Sequence, residues 1–269
     1  MYYYIFEPAQ NKREVNQQED IKALLQKYQV AGEFVTLSLA EKPQDLAKIG
    51  LRRGFTTIVA VGNDSLINQV AAGLINTDYA LGAIPTNPNS PFLKMINAQD
   101  YEQACQALPY RRIIKIDTAV INRTHSLITQ AKIEFKNKQP ELIQVNFDNY
   151  YRTEVRLSEI TISNIGIKLD PKSIKAALTD NLVDIYIPAK SEIKAGIWSI
   201  FNNLKKENQQ KGSIFHVKKS IIQARKPIKM VLGKKSIAKA PFQIESLAQS
   251  LNLIVQREKV KSLAKTDKS

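Results

Sequence analysis

The residues best suited to chemistry stand in one short stretch. Residues 56–76 read TTIVAVGNDSLINQVAAGLIN, a β-branched apolar run that passes through Gly62-Asn63-Asp64-Ser65 directly into a helical pattern. In an open parallel sheet, ligands sit at the carboxyl ends of the strands. A helix N-terminus offers unpaired N–H groups that favour an anion. Gly62 leaves the backbone free to take shapes other residues resist, and Asp64 or Ser65 suits the capping position. An ordinary capped strand–helix turn needs the same residue types, and spacing alone favours that simpler reading. Elsewhere His125 and His216 have no metal-ligand partner nearby in sequence, and Cys105 reads as a small buried filler among Ala104 and Ala107. No serine stands in a G-x-S-x-G elbow.

The elements that must position this stretch alternate. Strand-like runs at 2–6, 33–39, 56–61 and 81–85 are interleaved with helical spacing at 19–30, 43–53, 66–75 and 100–108. That order predicts a parallel sheet with helices on both faces. Near Arg111 the pattern changes. Long strand-like runs at 112–120, 126–135, 141–147, 151–163 and 182–188 follow almost without helices, then 214–224, 228–232, 242–246 and 251–256. One amphipathic helix is expected at 191–206, with Ile193, Ile197, Ile200, Phe201 and Leu204 on one side and Trp198 as a core or lipid-facing aromatic. The fold class expected is therefore an N-terminal α/β domain followed by a mostly antiparallel β-sandwich or open barrel. The division expected is 1–111, 112–258 and a basic, disordered tail at 259–269.

Composition limits the setting. The 269 residues carry 39 Lys and Arg against 25 Asp and Glu, a formal charge of +14. From 202 to 239 eleven Lys and Arg residues face Glu207 alone. A basic face attracts an anionic membrane, nucleic acid or a phosphorylated ligand, while a solvated surface accounts for the same charge. No zinc-ligand spacing or aromatic-plus-basic signature supports nucleic acid as a partner. The helix at 191–206 with the basic run after it would form a peripheral membrane dock. No run of about 18 apolar residues occurs, which excludes a spanning helix. The start, MYYYIFEP, reads as a first strand, and the single Cys105 precludes an intrachain disulfide. Cytoplasmic residence, with peripheral membrane contact, is the expectation.

Taken in order, several segments resemble the diacylglycerol kinase and related lipid kinase superfamily. Gly62-Asn63-Asp64-Ser65-Leu66-Ile67-Asn68-Gln69-Val70 is similar to its glycine-rich loop GGDGTxNEV, matching at Gly62, Asp64, Asn68 and Val70. The loop after the first strand, Glu7-Pro8-Ala9-Gln10-Asn11, keeps mainly the proline of an NPxSG pattern. Residues 81–93, LGAIPTNPNSPFL, resemble LGxIPxGTxNDFA, with the Gly-Thr pair replaced by Asn87-Pro88 and the Asn-Asp pair by Ser90-Pro91. Residues 160–164 resemble a strand ending in Ser-Asn, residues 179–185 a D-D-G-x-L-D-V stretch, and residues 220–256 the paired terminal strands around D-G-E. The resemblance spans nearly the whole chain. It implies a nucleotide-binding α/β domain of the NAD kinase/diacylglycerol kinase type and a β domain that takes the lipid. NAD kinases share the loop, but the carboxyl-terminal strand order resembles the lipid kinases.

The resemblance implies ATP and magnesium as cofactors and phosphorylation of a lipid hydroxyl as the activity. It implies nucleotide contacts from Gly62, Asn63, Asp64, Ser65, Asn68, Pro85, Thr86 and Asn87. Departures then matter. Leu232-Gly233-Lys234 stands where the catalytic D-G-E belongs, and no Asp or Glu lies between Glu207 and Glu245. Leu232 cannot accept a proton. Asn63 and Ser65 crowd the loop, and Pro88 removes an N–H at a phosphate-facing turn. Two accounts stay open. One is a working kinase with a relocated base, Asp180 or Asp184, Asp180 serving equally as a magnesium ligand. The other is a pseudokinase that binds a membrane or another anionic ligand.

Overall fold

The computed structural model describes residues 1–38, 40–135, 140–157, 159–188, 212–233 and 235–257. The helix expected at 191–206 with Trp198, the residue Lys234 and the tail at 259–269 lie outside the described residues.

The N-terminal unit alternates as the apolar periodicity requires. Strands β1 (Tyr2–Phe6), β2 (Gly32–Thr36), β3 (Thr57–Gly62) and β4 (Ala80–Pro85) lie parallel in the order β2-β1-β3-β4. Helices α1 (Lys12–Lys27), α2 (Pro43–Arg52), α3 (Asp64–Ala72), α4 (Pro91–Met95) and α5 (Tyr101–Tyr110) connect and cover them. β3 and β4 are buried along their whole length, the continuous apolar pattern of a strand covered on both faces. β1 shows the two faces directly, because successive side chains point opposite ways. The Tyr2 and Tyr4 hydroxyls donate to Leu108 O and Val30 O, both at 2.8 Å, on the side of α1 and α5. Tyr3 turns the other way and lies over Gly50 of α2, where an added Cβ would come within 2.7 Å of its ring.

α1 starts earlier than the run at 19–30 suggested. Asn11 caps it by accepting from Glu14 N at 3.0 Å, and the Glu14 carboxylate returns the bond to Asn11 Nδ2 at 2.8 Å and Gln10 N at 2.7 Å.

The second unit packs two antiparallel sheets over one apolar core. Strands β7 (Gln130–Glu134), β10 (Glu159–Ser163), β11 (Val183–Pro188), β12 (Gly212–Val217), β14 (Lys229–Leu232) and β15 (Lys235–Lys239) form one sheet in the order β12-β11-β10-β7-β14-β15. Facing it are β5 (Ile113–Ile121), β6 (His125–Leu127), β8 (Glu141–Phe147), β9 (Tyr151–Leu157), β13 (Lys219–Ala224) and β16 (Phe242–Ile254), which continue the N-terminal sheet. Both sheets send side chains into the shared core, among them Ile143, Ile222 and Phe242 from one and Ile133, Ile162 and Met230 from the other. A short helix, α6 (Pro171–Ala177), precedes β11. β16 serves both units: Phe242–Glu245 pairs with β13, Asn252 and Leu253 pair in parallel with β4, and β5 runs along its other edge.

Four expected strands divide or join for identifiable reasons. The run at 214–224 breaks because Asp148 Oδ1 accepts from both Lys218 N (2.9 Å) and Lys219 N (2.7 Å), sending β12 and β13 to different sheets. The run at 126–135 breaks at Ile128-Thr129, where Ile128 N donates to Asn68 Oδ1 at 2.8 Å. The runs at 242–246 and 251–256 join into one strand, because an irregularity between Leu247 and Leu251, with Gln249 at φ 45°, lets both halves pair with β5.

The described lysines of the basic run do not share a face. Lys219 belongs to the sheet of β13 and pairs with Glu245 at 2.8 Å, whereas Lys229 belongs to the opposite sheet and meets Glu134 at 3.4 Å. Lys226 pairs with Glu141 at 2.6 Å.

Candidate functional site

β1, β3 and β4 end at one level, since Phe6 pairs with Val61 and Gly62 with Pro85. Glu7 N donates to Val61 O at 2.9 Å and Thr86 N to Gly62 O at 3.1 Å, so the three loops that follow leave the sheet side by side. Between them lies a cleft of about 640 Å³, at the carboxyl ends of the strands where this architecture binds ligands. Its charged lining is Glu7, Glu14 and Asp100 against Arg13.

Gly62, Asn63, Pro85, Thr86 and Asn87 all line this cleft. Asn63, not Asp64 or Ser65, caps α3: its Oδ1 accepts from Leu66 N at 2.9 Å. The other faces of Asn63 meet Glu7. The Glu7 Oε2 accepts from Asn63 N at 2.8 Å, and Asn63 Nδ2 donates to Oε1 of the same carboxylate. Gly62 is glycine for a steric reason, because a Cβ there would stand 2.8 Å from Glu7 Cβ and from Leu66 Cδ2. Burial raises the Glu7 carboxyl above its ordinary range, opposed by the Asn63 hydrogen bonds and reinforced by Glu14.

Asp64 accepts from the Ser90 hydroxyl, and Ser90 Oγ in turn accepts from Phe92 N at 3.1 Å as the cap of α4. Burial raises the Asp64 carboxyl, and the Ser90 bond opposes it. Ser65 Oγ and O both accept from Gln69 Nε2 at 3.0 Å. Asn68 is 3% exposed and wholly committed to the protein. It takes the N–H of Ile128, and its Nδ2 donates to Asp64 O at 2.8 Å and toward Thr129 Oγ1 at 3.4 Å. The side chain ties α3 to the second unit.

Asp180 and Asp184 stand in the second unit and are not among the residues that line the cleft. The exposed Asp180 accepts from Leu182 N at 2.9 Å as a turn residue, and its carboxyl is raised by desolvation, with Asp184 and Asp117 adding to the effect. Asp184 is 6% exposed and lies 2.5 Å from His216 Nδ1, directly across the β11–β12 pair. Burial raises its carboxyl and His216 pulls it back.

A magnesium site at Asp180 needs converging oxygen ligands. Among the described residues no three His, Cys, Asp or Glu side chains converge to hold a metal, so Asp180 would offer one carboxylate, with phosphate and water oxygens completing the shell. The Asn63 N–H that would face a phosphate already serves Glu7, and the charged lining holds three acids to one base.

The position of the expected acid is occupied from another direction. Leu232 is 3% exposed and packs in the sandwich core. Gly233 turns the β14–β15 hairpin at φ 61°, a shape glycine takes freely. Lys235 then reaches Gln69 Oε1 of α3 at 3.4 Å, so the hairpin does lie against the loop helix, bringing a lysine and no carboxylate.

Residues that spacing did not single out hold the cleft together. Gln17 Nε2 donates to Thr86 O at 3.0 Å and Gln18 Nε2 to Glu7 O at 2.6 Å, both from the first turns of α1. The Asn11–Glu14 capping pair was the signal in the sequence that α1 begins early enough to supply them.

Comparison with known proteins agrees with this architecture. Residues 3–121 match the sequence profile of the diacylglycerol kinase catalytic domain. An uncharacterized protein of Synechocystis sp. is 26% identical over 246 residues, a match that covers 76% of this chain and 56% of that protein's length. A diacylglycerol kinase from Bacillus anthracis str. Sterne superposes with a TM-score of 0.67 at 16% identity, covering 94% of this chain and 96% of its own. An NAD kinase from Archaeoglobus fulgidus, solved in complex with ATP, superposes with a TM-score of 0.55 at 12% identity, covering 96% and 94%. These likenesses at low identity establish the two-unit fold, and the profile match lies on the β1–β5 segment that carries the loop and its cleft. Over residues 3–121, from β1 to β5, the chain matches the diacylglycerol kinase catalytic domain, on a fold that it shares with diacylglycerol kinases and NAD kinases.

Proposed function

We propose that this chain is a lipid kinase-like protein that keeps the family fold and has lost phosphoryl transfer, acting instead as a binding module. In the family reaction the nucleotide supplies the phosphoryl group and magnesium offsets its charge. The chain must contribute a carboxylate that takes the proton from the lipid hydroxyl and a loop whose N–H groups receive the phosphates. The observation that carries the reading is Leu232: the position aligned with the acid is a core residue, 3% exposed, in a stretch without Asp or Glu between 207 and 245. The filled loop at Asn63 supports it. The remaining partner class is an anionic lipid surface attracted by the charge of +14. Because Lys219 and Lys229 lie on opposite sheets, such binding is diffuse and weakens steeply with salt.

The test is transfer of labelled phosphate from ATP with magnesium to diacylglycerol in mixed micelles, run beside an active bacterial lipid kinase. No product above background is expected, and turnover would overturn the reading. Asp184 supports a second reading, because an aspartate held 2.5 Å from a histidine is a recognised base arrangement. If turnover were found, D184N abolishing it would establish that alternative.

A further inference from the structure

We propose that Glu7 occupies the seat a ligand phosphate would take on the β3–α3 loop, so that the chain excludes polyphosphates from its own cleft. The proposal rests on the reading of this loop as that of a silent lipid kinase fold. The seat has the features of an anion site: the N-terminus of a nine-residue helix, a main-chain N–H aimed outward at Asn63, and an adjoining cleft of about 640 Å³. An anion is already there. The Glu7 carboxylate binds Asn63 through both oxygens, one to the main-chain N–H at 2.8 Å and the other to the side-chain amide.

The arrangement is built rather than incidental. Glu7 is fixed from behind, since its N–H is bound to Val61 O at 2.9 Å and its carbonyl receives Gln18 Nε2 at 2.6 Å. Gly62 is bare where the Glu7 side chain crosses it, and a Cβ there would meet Glu7 at 2.8 Å. An incoming phosphate would have to displace a carboxylate that satisfies two donors. It would also meet Glu14 and Asp100, with Arg13 the opposing charge in the lining. Like charges a few ångströms apart disfavour binding strongly.

The test uses the full chain and two substitutions. E7A empties the seat, and E7Q keeps the shape while removing the charge. Inorganic triphosphate and ATP are titrated separately by calorimetry into wild type and both variants, with circular dichroism to establish folding. Wild type is expected to give no saturable binding. E7A should bind triphosphate and ATP saturably and with similar affinity, at least roughly tenfold tighter than the weakest binding the titration detects, with E7Q weaker than E7A. If E7A does not fold, E7Q alone carries the test. Folded variants that bind triphosphate no better than wild type would overturn the proposal. So would wild type binding triphosphate as tightly as the variants, or E7A binding ATP while ignoring triphosphate, which would mark a nucleoside pocket. Lipid phosphorylation by wild type is a separate outcome and would overturn the silent reading of the previous section.

Discussion

Asn68 offers the sharpest test of how the loop helix is held. Replacing it with alanine removes an acceptor from Ile128 N at 2.8 Å and a donor to Asp64 O at 2.8 Å. Ile128 is fully buried, so its N–H is left without water or protein to bond. An orphaned buried donor costs about 1–3 kcal/mol, and the lost bond to Asp64 adds about 0.5–1.5 kcal/mol. The Thr129 contact at 3.4 Å is too long to add much. N68A should therefore destabilise the chain by about 2–4 kcal/mol. At roughly 2–4 °C per kcal/mol for a chain of this size, the melting temperature should fall by about 4–16 °C. The measurement is thermal and urea unfolding followed by far-ultraviolet circular dichroism. N68D retains the acceptor but loses the donor and buries a charge, so it should not rescue. A direct ligand contact would give the opposite signature, unchanged stability with altered binding. N68A within about 0.5 kcal/mol of wild type, the range usual for a surface substitution, would refute the structural role assigned here.

Placing the family acid at position 232 should unfold the chain. L232D places a carboxylate in the sandwich core, which costs several kcal/mol because a buried unpaired charge has no compensation, and the variant should be unfolded or insoluble by circular dichroism and gel filtration. Cys105 is fully buried and its thiol is pushed up to about 12, chiefly by desolvation, so an aromatic disulfide reagent near pH 8 should label it only after denaturation. Glu7 has a folded-state value raised above its ordinary value of 4.5, so its contribution to stability is full below that value and is lost as the pH rises through the folded one. The melting temperature of E7Q relative to wild type should therefore climb as the pH rises above 4.5, and a flat or falling difference would contradict the burial of that carboxylate.

Much of the fold was legible because its signals are local. The strand at 56–61 and the helix after it stand where the β-branched run and the 3.6-residue spacing put them. The switch near Arg111 from alternation to antiparallel strands is equally plain in the apolar pattern. What escaped depends on contacts between distant segments. The role of Glu7 follows from β1 lying beside β3, which places residue 7 against residue 63, and no window along the chain contains both. The structural tie of Asn68 was hidden because its partner, Ile128, is supplied by the turn between β6 and β7. The division of 214–224 was hidden in Asp148, an acceptor for two successive N–H groups that is far away in sequence. The early start of α1 was a different case, since the Asn11–Glu14 pair is local and was outweighed by the stronger apolar spacing further on.

The path of β16 has a consequence for the order in which the chain can fold. β4 is buried along its length, yet one of its edges is covered only when Asn252 and Leu253 arrive beside Ala80 and Leu81. During synthesis the segment that carries the cleft therefore waits with an open, apolar strand edge until nearly all of the sandwich has been made. A closure that joins such distant residues is slow to form. The family's nucleotide-loop segment is, in this chain, completed by the end of its β domain, and a fragment that stops before residue 251 should expose that edge and associate through it.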